Sequence, residues 1–278
     1  MTDGAATSDL HFLTVDGGRL AYRDTGGPGA PLVLLHGGFL DHRMWQHQLP
    51  YFAREFRVLA PDARGHGASD NASEPFRPAD DVAALLRRLD LGPAVLVGVS
   101  MGGGTAVDVA LEHPELVRAL VVTAAGTSEA VFADPWVLGV QAEQQRAFEA
   151  GDPAAWVEAY LQFASGPHRA LAEVDPAVVA LMRDMAASTL AKHREPGPDQ
   201  RVLPADSWTR AAGIKAPVLA VNGALASTDH LAMADRLVRT VPDGRSATVE
   251  GTAHYPNLER PEEFNALVRD FLTGIHGG

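Results

Sequence analysis

The run Gly98-Val99-Ser100-Met101-Gly102 constrains this chain more than any other stretch of it. It follows the buried-strand run Ala94–Val99 and opens the helical run Met101–Glu112, so the chain must pass from strand to helix on a single serine. Lifting that hydroxyl clear of the strand end demands a strained backbone in a very sharp turn. Side chains two positions to either side would then collide, and glycine stands at both places. Gly103 and Gly104 leave further room for the helix to approach the sheet. Ser100 at a helix N-terminus also sets the Met101 N–H and the helix dipole where negative charge on an oxygen would form. The bland reading is a glycine-rich turn with a bystander serine. The strand before it and the helix after it favour a nucleophile.

The rest of the chain alternates short β-branched runs with longer amphipathic stretches, the pattern of βαβ units and a largely parallel sheet. Strands are expected at His11–Val15, Arg19–Asp24, Leu32–Leu35, Arg57–Ala60, Ala94–Val99, Val117–Thr123, Val218–Val221 and Ser246–Val249. Asp16-Gly17-Gly18 turns the first two into a hairpin. Helices are expected at Met44–Arg54, Pro78–Leu89, Met101–Glu112, His230–Val241 and Pro261–Leu272. In the last of these, Phe264, Leu267, Val268 and Phe271 share one face and mark it as packing on the sheet. Between about residues 127 and 207 the strand pattern gives way to helical sequence carrying Trp136, Phe148, Trp156, Tyr160, Phe163, Met182 and Met185. That segment ends in the Pro-rich stretch Glu195–Pro204. Residues 1–126 and 208–278 therefore read as an α/β core, with 127–207 as a helical cap inserted in it. With 278 residues, 46% of them hydrophobic, the chain can bury a core of that size.

Three further motifs keep the order of the elbow. Leu34-Leu35-His36-Gly37-Gly38-Phe39 ends the third strand. Pro61-Asp62-Ala63-Arg64-Gly65-His66-Gly67-Ala68-Ser69 follows the fourth. Gly251-Thr252-Ala253-His254-Tyr255-Pro256-Asn257-Leu258-Glu259 follows the last. With these four motifs, from about residue 10 to residue 273, the chain resembles the α/β-hydrolase superfamily in its esterase, enol-lactonase and haloperoxidase-like branch. The resemblance implies a mostly parallel eight-stranded sheet flanked by helices, with a helical cap. It implies Ser100 as nucleophile and the backbone N–H groups of Met101 and Gly38 as the oxyanion hole, with Phe39 the fallback donor. His36 is expected to anchor its loop, and Arg64 and His66 to order theirs. Serine at the elbow also sets the chain apart from epoxide hydrolases and haloalkane dehalogenases, which need a carboxylate there.

Of eleven histidines, only His254 lies on the loop after the last strand. An imidazole near pKa 6.5 can take the serine proton and return it to a leaving group at neutral pH. His254 is thus the expected base, and Glu259 is expected to cap the helix that follows. The acid departs from the family's pattern. After Val218–Val221 the family runs glycine, two residues, aspartate, whereas this chain reads Gly223-Ala224-Leu225-Ala226. After Thr123, where some relatives keep it, stand Ala124, Ala125 and Gly126, with Glu129 beyond. Three explanations compete: the acid is lost at Ala226, Asp229 replaces it, or Ser100 and His254 act as a dyad. Asp229 is also placed to cap the helix His230–Val241.

The expected activity is hydrolysis of a carboxylic ester, lactone or thioester of a small to medium apolar molecule, the one partner implied. Phe39, Trp136, Trp156, Phe163 and Met182 are candidate substrate contacts; singly each reads as core, and together they suggest an apolar pocket. The competing readings are a non-hydrolytic enzyme on the same fold (a C–C hydrolase, lyase or cofactor-free cyclase or oxygenase) and a non-catalytic ligand-binding member. No metal or organic cofactor is implied, and without cysteine neither disulfides nor thiolate chemistry is open to the chain. A net charge of −12 opposes binding to nucleic acid or an anionic membrane. Met1 to Leu10 carries no apolar signal core and no apolar run reaches bilayer length, so a cytoplasmic protein is expected.

Overall fold

The structure is a computed structural model and describes residues 9–193 and 199–276. Most of the N-terminal segment and the first part of the Pro-rich stretch lie outside the described residues. Eight strands form one sheet: β1 (Leu10–Val15), β2 (Gly18–Asp24), β3 (Ala30–Leu35), β4 (Phe56–Pro61), β5 (Ala94–Val99), β6 (Val117–Thr123), β7 (Val218–Gly223) and β8 (Gly244–Val249). Their order is β1-β2-β4-β3-β5-β6-β7-β8. The hairpin β1–β2 and the pair β2–β4 are antiparallel, and every other pairing is parallel.

The central strands are buried on both faces, which is why they read as unbroken apolar runs. Period-2 alternation still sorts their side chains. Leu32, Leu34, Val95 and Val97 join one apolar layer with Phe264, Val268 and Phe271, while Val33, Leu35 and Leu96 join the other with Leu85, Leu86 and Val107.

The helices are α1 (Gln48–Phe52), α2 (Pro78–Arg88), α3 (Met101–Glu112), α4 (Pro135–Glu149), α5 (Pro153–Ser165), α6 (Pro176–Lys192), α7 (Ser207–Arg210), α8 (Thr228–Thr240), α9 (Pro256–Glu259) and α10 (Pro261–His276). The single helix expected over Met44–Arg54 is instead a 3₁₀ turn, His42–Trp45, followed by α1. Pro50 explains the break. Without an N–H it cannot continue a helix begun at Met44, and it is tolerated only in the first turn of a new one.

Helices α4, α5 and α6 fill the stretch between β6 and β7, where the sequence loses its strand pattern. Each begins Asp-Pro, and the carboxylates of Asp134, Asp152 and Asp175 accept the N–H of Trp136, Ala155 and Ala177 at 2.8–2.9 Å. Among the described residues no helix is long and apolar enough to cross a membrane.

Candidate active site

Ser100 takes φ 54° and ψ −117°, a conformation that L residues rarely adopt. Its N–H donates to Thr123 O (2.8 Å), and its own carbonyl accepts from Gly104 N–H (3.0 Å), so neighbouring strand and following helix both hold the turn. The two elbow glycines are steric necessities. A Cβ on Gly98 would be driven into the Gly102 carbonyl, and one on Gly102 into the carbonyl of Leu35. Gly103 faces Ala125 at a distance no Cβ could keep.

The loop after β3 is fastened at several points. His36 Nδ1 donates to Gly37 O (2.8 Å) and Nε2 accepts from Ala63 N–H (2.9 Å). This requires the neutral ring, and burial keeps the His36 pKa low in agreement. Phe39 reverses the chain at φ 58°. Gly38 O accepts the Tyr160 hydroxyl (2.7 Å), which in turn lies 2.8 Å from the Tyr255 hydroxyl. A carbonyl only accepts, so Tyr160 donates to Gly38 and Tyr255 donates to Tyr160. A Cβ on Gly38 would stand 3.9 Å from that of Met101. The two expected oxyanion donors are therefore neighbours.

The loop after β4 is ordered by Asp62, which accepts from the His42 ring and the N–H groups of His42 and Ala68. Burial works against the charge of Asp62, but these donors outweigh it and its pKa is lowered. Arg64 forks onto Asp81 with two 2.8 Å bonds, and burial pushes His66 down to about 3.

His254 follows β8 on a loop zipped to the one after β7: Leu225 N–H donates to Thr252 O (2.9 Å) and Ala224 N–H to Val249 O (3.2 Å). Glu259 does not cap α10. Its carboxylate accepts the Ala253 N–H (2.9 Å) and pairs with Arg169, which also donates to Gly251 O (2.9 Å) and Ala164 O (2.7 Å). A residue from the helical stretch between β6 and β7 thus clamps the histidine loop. The His254 ring is buried, with Phe163, Tyr255 and His230 at 5.5, 4.7 and 4.4 Å between ring centroids. Its Nδ1 is buried with no hydrogen-bond partner among the described residues. Burial first, and then the neighbouring His230, hold its pKa well below 6.5.

Ala226 lies buried on the adjoining loop, directly after Leu225, which pairs with the histidine loop. The expectation that Asp229 replaces the acid is corrected by its contacts. Asp229 Oδ2 accepts the N–H groups of Ala133 (2.8 Å) and Asp134 (2.7 Å), while Asp134 accepts the N–H (3.0 Å) and hydroxyl (2.7 Å) of Thr228. This reciprocal clamp joins the starts of α4 and α8. It leaves Asp229 no hydrogen bond to His254, and the N-cap position of α8 belongs to Ser227. Glu129 is equally committed, to Ser207 and Trp208.

A cavity of about 380 Å³ opens beside Ser100. Met101, Ala124, Phe132, Leu203, His230 and Met233 are among its walls. The five expected substrate contacts do not line it. Phe39 and Trp156 pack on each other at 4.3 Å, Trp156 stacks on Tyr160, Trp136 abuts Phe163, and Met182 is wholly buried. These apolar groups, Phe39 from the loop after β3 and the others from α4–α6, satisfy one another, and the space beside Ser100 lies on the α2–α3 side.

Residues 30–261 match the family profile described as alpha/beta hydrolase fold. The chain belongs to that family. It is 31% identical to a pimeloyl-[acyl-carrier protein] methyl ester esterase from Aromatoleum aromaticum over 87% of this chain and 98% of that protein. It is 30% identical to 3-oxoadipate enol-lactonase 2 of Acinetobacter baylyi over 93% of this chain and 96% of the relative. The crystal structure of an esterase from Rhodococcus sp. ECU1013 superposes with a TM-score of 0.81 at 26% identity, covering 96% and 99% of the two chains.

Within this α/β-hydrolase framework, Gly38 lies against Met101, the residue that follows Ser100 at the elbow. His254 does not line the cavity; its ring touches that of His230, which shares the cavity with Ser100. The structure shows no Ser100–His254 hydrogen bond; such bonds often tighten only with substrate bound. His230 is the residue that sequence reasoning passed over as the opening of a helix. Its position four residues after Ala226 was the available signal.

Proposed function

We propose that the chain is a serine hydrolase of carboxylic esters, lactones or thioesters of small, mainly apolar molecules, working with a triad that lacks its carboxylate. The strained Ser100 elbow, opening into an apolar cavity that Met101 also lines, carries this reading. Ser100 Oγ attacks the carbonyl carbon as its proton passes to His254. The electron pair of the carbonyl moves to oxygen, where the N–H groups of Met101 and Gly38 receive it. Collapse expels the leaving alcohol with the proton from His254, and water releases the acyl group by the same steps. The methyl ester esterase and enol-lactonase among its relatives support this reaction class.

Removing the acid of a Ser-His-Asp triad lowers kcat by about 10⁴-fold, because the imidazole loses tautomer control and counter-charge, yet the oxyanion hole still leaves catalysis above water. Slow turnover of activated esters is therefore expected. Hydrolysis of a p-nitrophenyl ester series by the parent, Ser100→Ala and His254→Ala proteins tests the reading: both variants should fall about 10²-fold below the parent. A second reading, non-hydrolytic chemistry on the same framework, draws on the unpartnered Nδ1 of His254. Turnover of an enolisable diketone with no ester cleavage would favour it.

A further inference from the structure

His230 stands where a hydrogen-bond acceptor for His254 Nδ1 is missing. The rings meet edge to face, 4.4 Å between centroids and 78° between planes. His230 Nδ1 lies 2.5 Å from Ser227 Oγ, on the residue next to Ala226. Around His230 are Ser227, His254, Phe132, Phe163, and the carboxylates of Asp229 and Asp134. Both carboxylates are tied to backbone N–H groups, and neither is bonded to an imidazole.

We infer that His230 replaces the lost carboxylate as the positioning residue of the hydrolytic site, its Nε2 accepting the Nδ1–H of His254. The inference rests on the serine-hydrolase reading. With Nδ1–H donating to Ser227 Oγ, His230 presents a bare Nε2. The terminal torsion of histidine is broad, so rotation of the His254 ring, whose Nδ1 has no partner to lose, turns the edge contact into an N–H···N bond while His230 keeps its bond to Ser227. That bond fixes the tautomer of His254 whose Nε2 is free to take the Ser100 proton. The proton rests on His254 while the Oγ–carbon bond forms and returns to the leaving oxygen when the tetrahedral species collapses, so none crosses to His230. Burial holds His230 down to about 4, so at neutral pH it is an uncharged acceptor. A neutral acceptor supplies orientation without counter-charge, which makes it a partial substitute.

The test is a double-mutant cycle on p-nitrophenyl butyrate hydrolysis, with kcat, KM and the pH profile of kcat/KM measured for each protein. A neutral hydrogen bond predicts a loss of about tenfold in kcat for His230→Ala. His230→Gln, whose side-chain carbonyl can accept the same N–H, should recover most of it. In an Ala226→Asp background the new carboxylate holds His254, so His230→Ala should cost at most about twofold. A equal loss in both backgrounds, or no recovery by Gln, overturns the inference and makes His230 merely structural. Should His230→Ala fail to fold, Ser227→Ala keeps both rings, removes only the tautomer lock, and should itself lower kcat in the parent and not in the Ala226→Asp background. Activity that survives Ser100→Ala would instead sink the hydrolase reading beneath the inference.

Discussion

Restoring a carboxylate by Ala226→Asp should raise esterase activity about 10³-fold, and the structure sets both sides of that figure. The gain comes from His254. Its Nδ1 is buried without a partner, and an unsatisfied buried donor is disfavoured by about 1–3 kcal/mol before any charge forms. Once the imidazolium appears, a carboxylate counter-charge brings the total to the roughly 10⁴-fold, about 5.5 kcal/mol, by which other triads depend on their acid. The loss comes from burial. Ala226 is only 3% exposed, so the new carboxylate gives up its hydration, a penalty of several kcal/mol that pairing offsets only in part. The net is a gain nearer 10³ than 10⁴, with a lower melting temperature. The pH profile should move too. Burial and His230 now hold His254 well below 6.5. A neighbouring negative charge raises an imidazole pKa, so the acid limb of kcat/KM should shift to higher pH in the variant. Initial rates on p-nitrophenyl butyrate between about pH 5 and 9 read both effects. A folded variant with kcat/KM within about threefold of the parent and an unmoved acid limb would refute the reasoning.

Three further outcomes follow from particular contacts. Gly98→Ala drives a Cβ into the Gly102 carbonyl, so it should lower the melting temperature and abolish phosphonate labelling of Ser100, both read on the same sample. Tyr160→Phe leaves Gly38 O without its donor, and should destabilise the fold by about 1–3 kcal/mol in urea titration while lowering kcat more than it raises KM. Asp108, buried and hydrogen-bonded to Ser128 Oγ, has its pKa raised from 3.8 to about 7, chiefly by burial. A carboxyl whose folded pKa is raised loses stability as pH climbs from the unfolded value through the folded one. Asp108→Asn, which can keep the bond from Ser128, should therefore match the parent below about pH 4 and gain up to about 4 kcal/mol by pH 7, level thereafter. Urea midpoints across that range measure it.

The strands were legible because the central ones are buried on both faces and so read as uninterrupted β-branched runs. The elbow was legible because its two glycines have a local steric cause, visible in five residues. What escaped the sequence depends on partners far along the chain. Glu259 sits beside Pro261 like a helix cap, but its cation is Arg169, ninety positions away in the helical stretch between β6 and β7. Asp229 looks like a spare triad acid until the backbone N–H groups of Ala133 and Asp134 are seen to claim it. The aromatics of residues 127–207, with Phe39 from the loop after β3, suggested a pocket by composition, and composition does not say that Phe39, Trp156 and Tyr160 pack on one another. His230 escaped because its role depends on the neighbour it touches, not on any motif.

Intact-mass spectrometry of the protein quenched during turnover of a p-nitrophenyl ester addresses the central claim most directly. An attack by Ser100 that ends in slow deacylation predicts one acyl group added per chain, on the peptide that holds Ser100, and no adduct in Ser100→Ala. Ester turnover that leaves no adduct and persists undiminished in Ser100→Ala would contradict it.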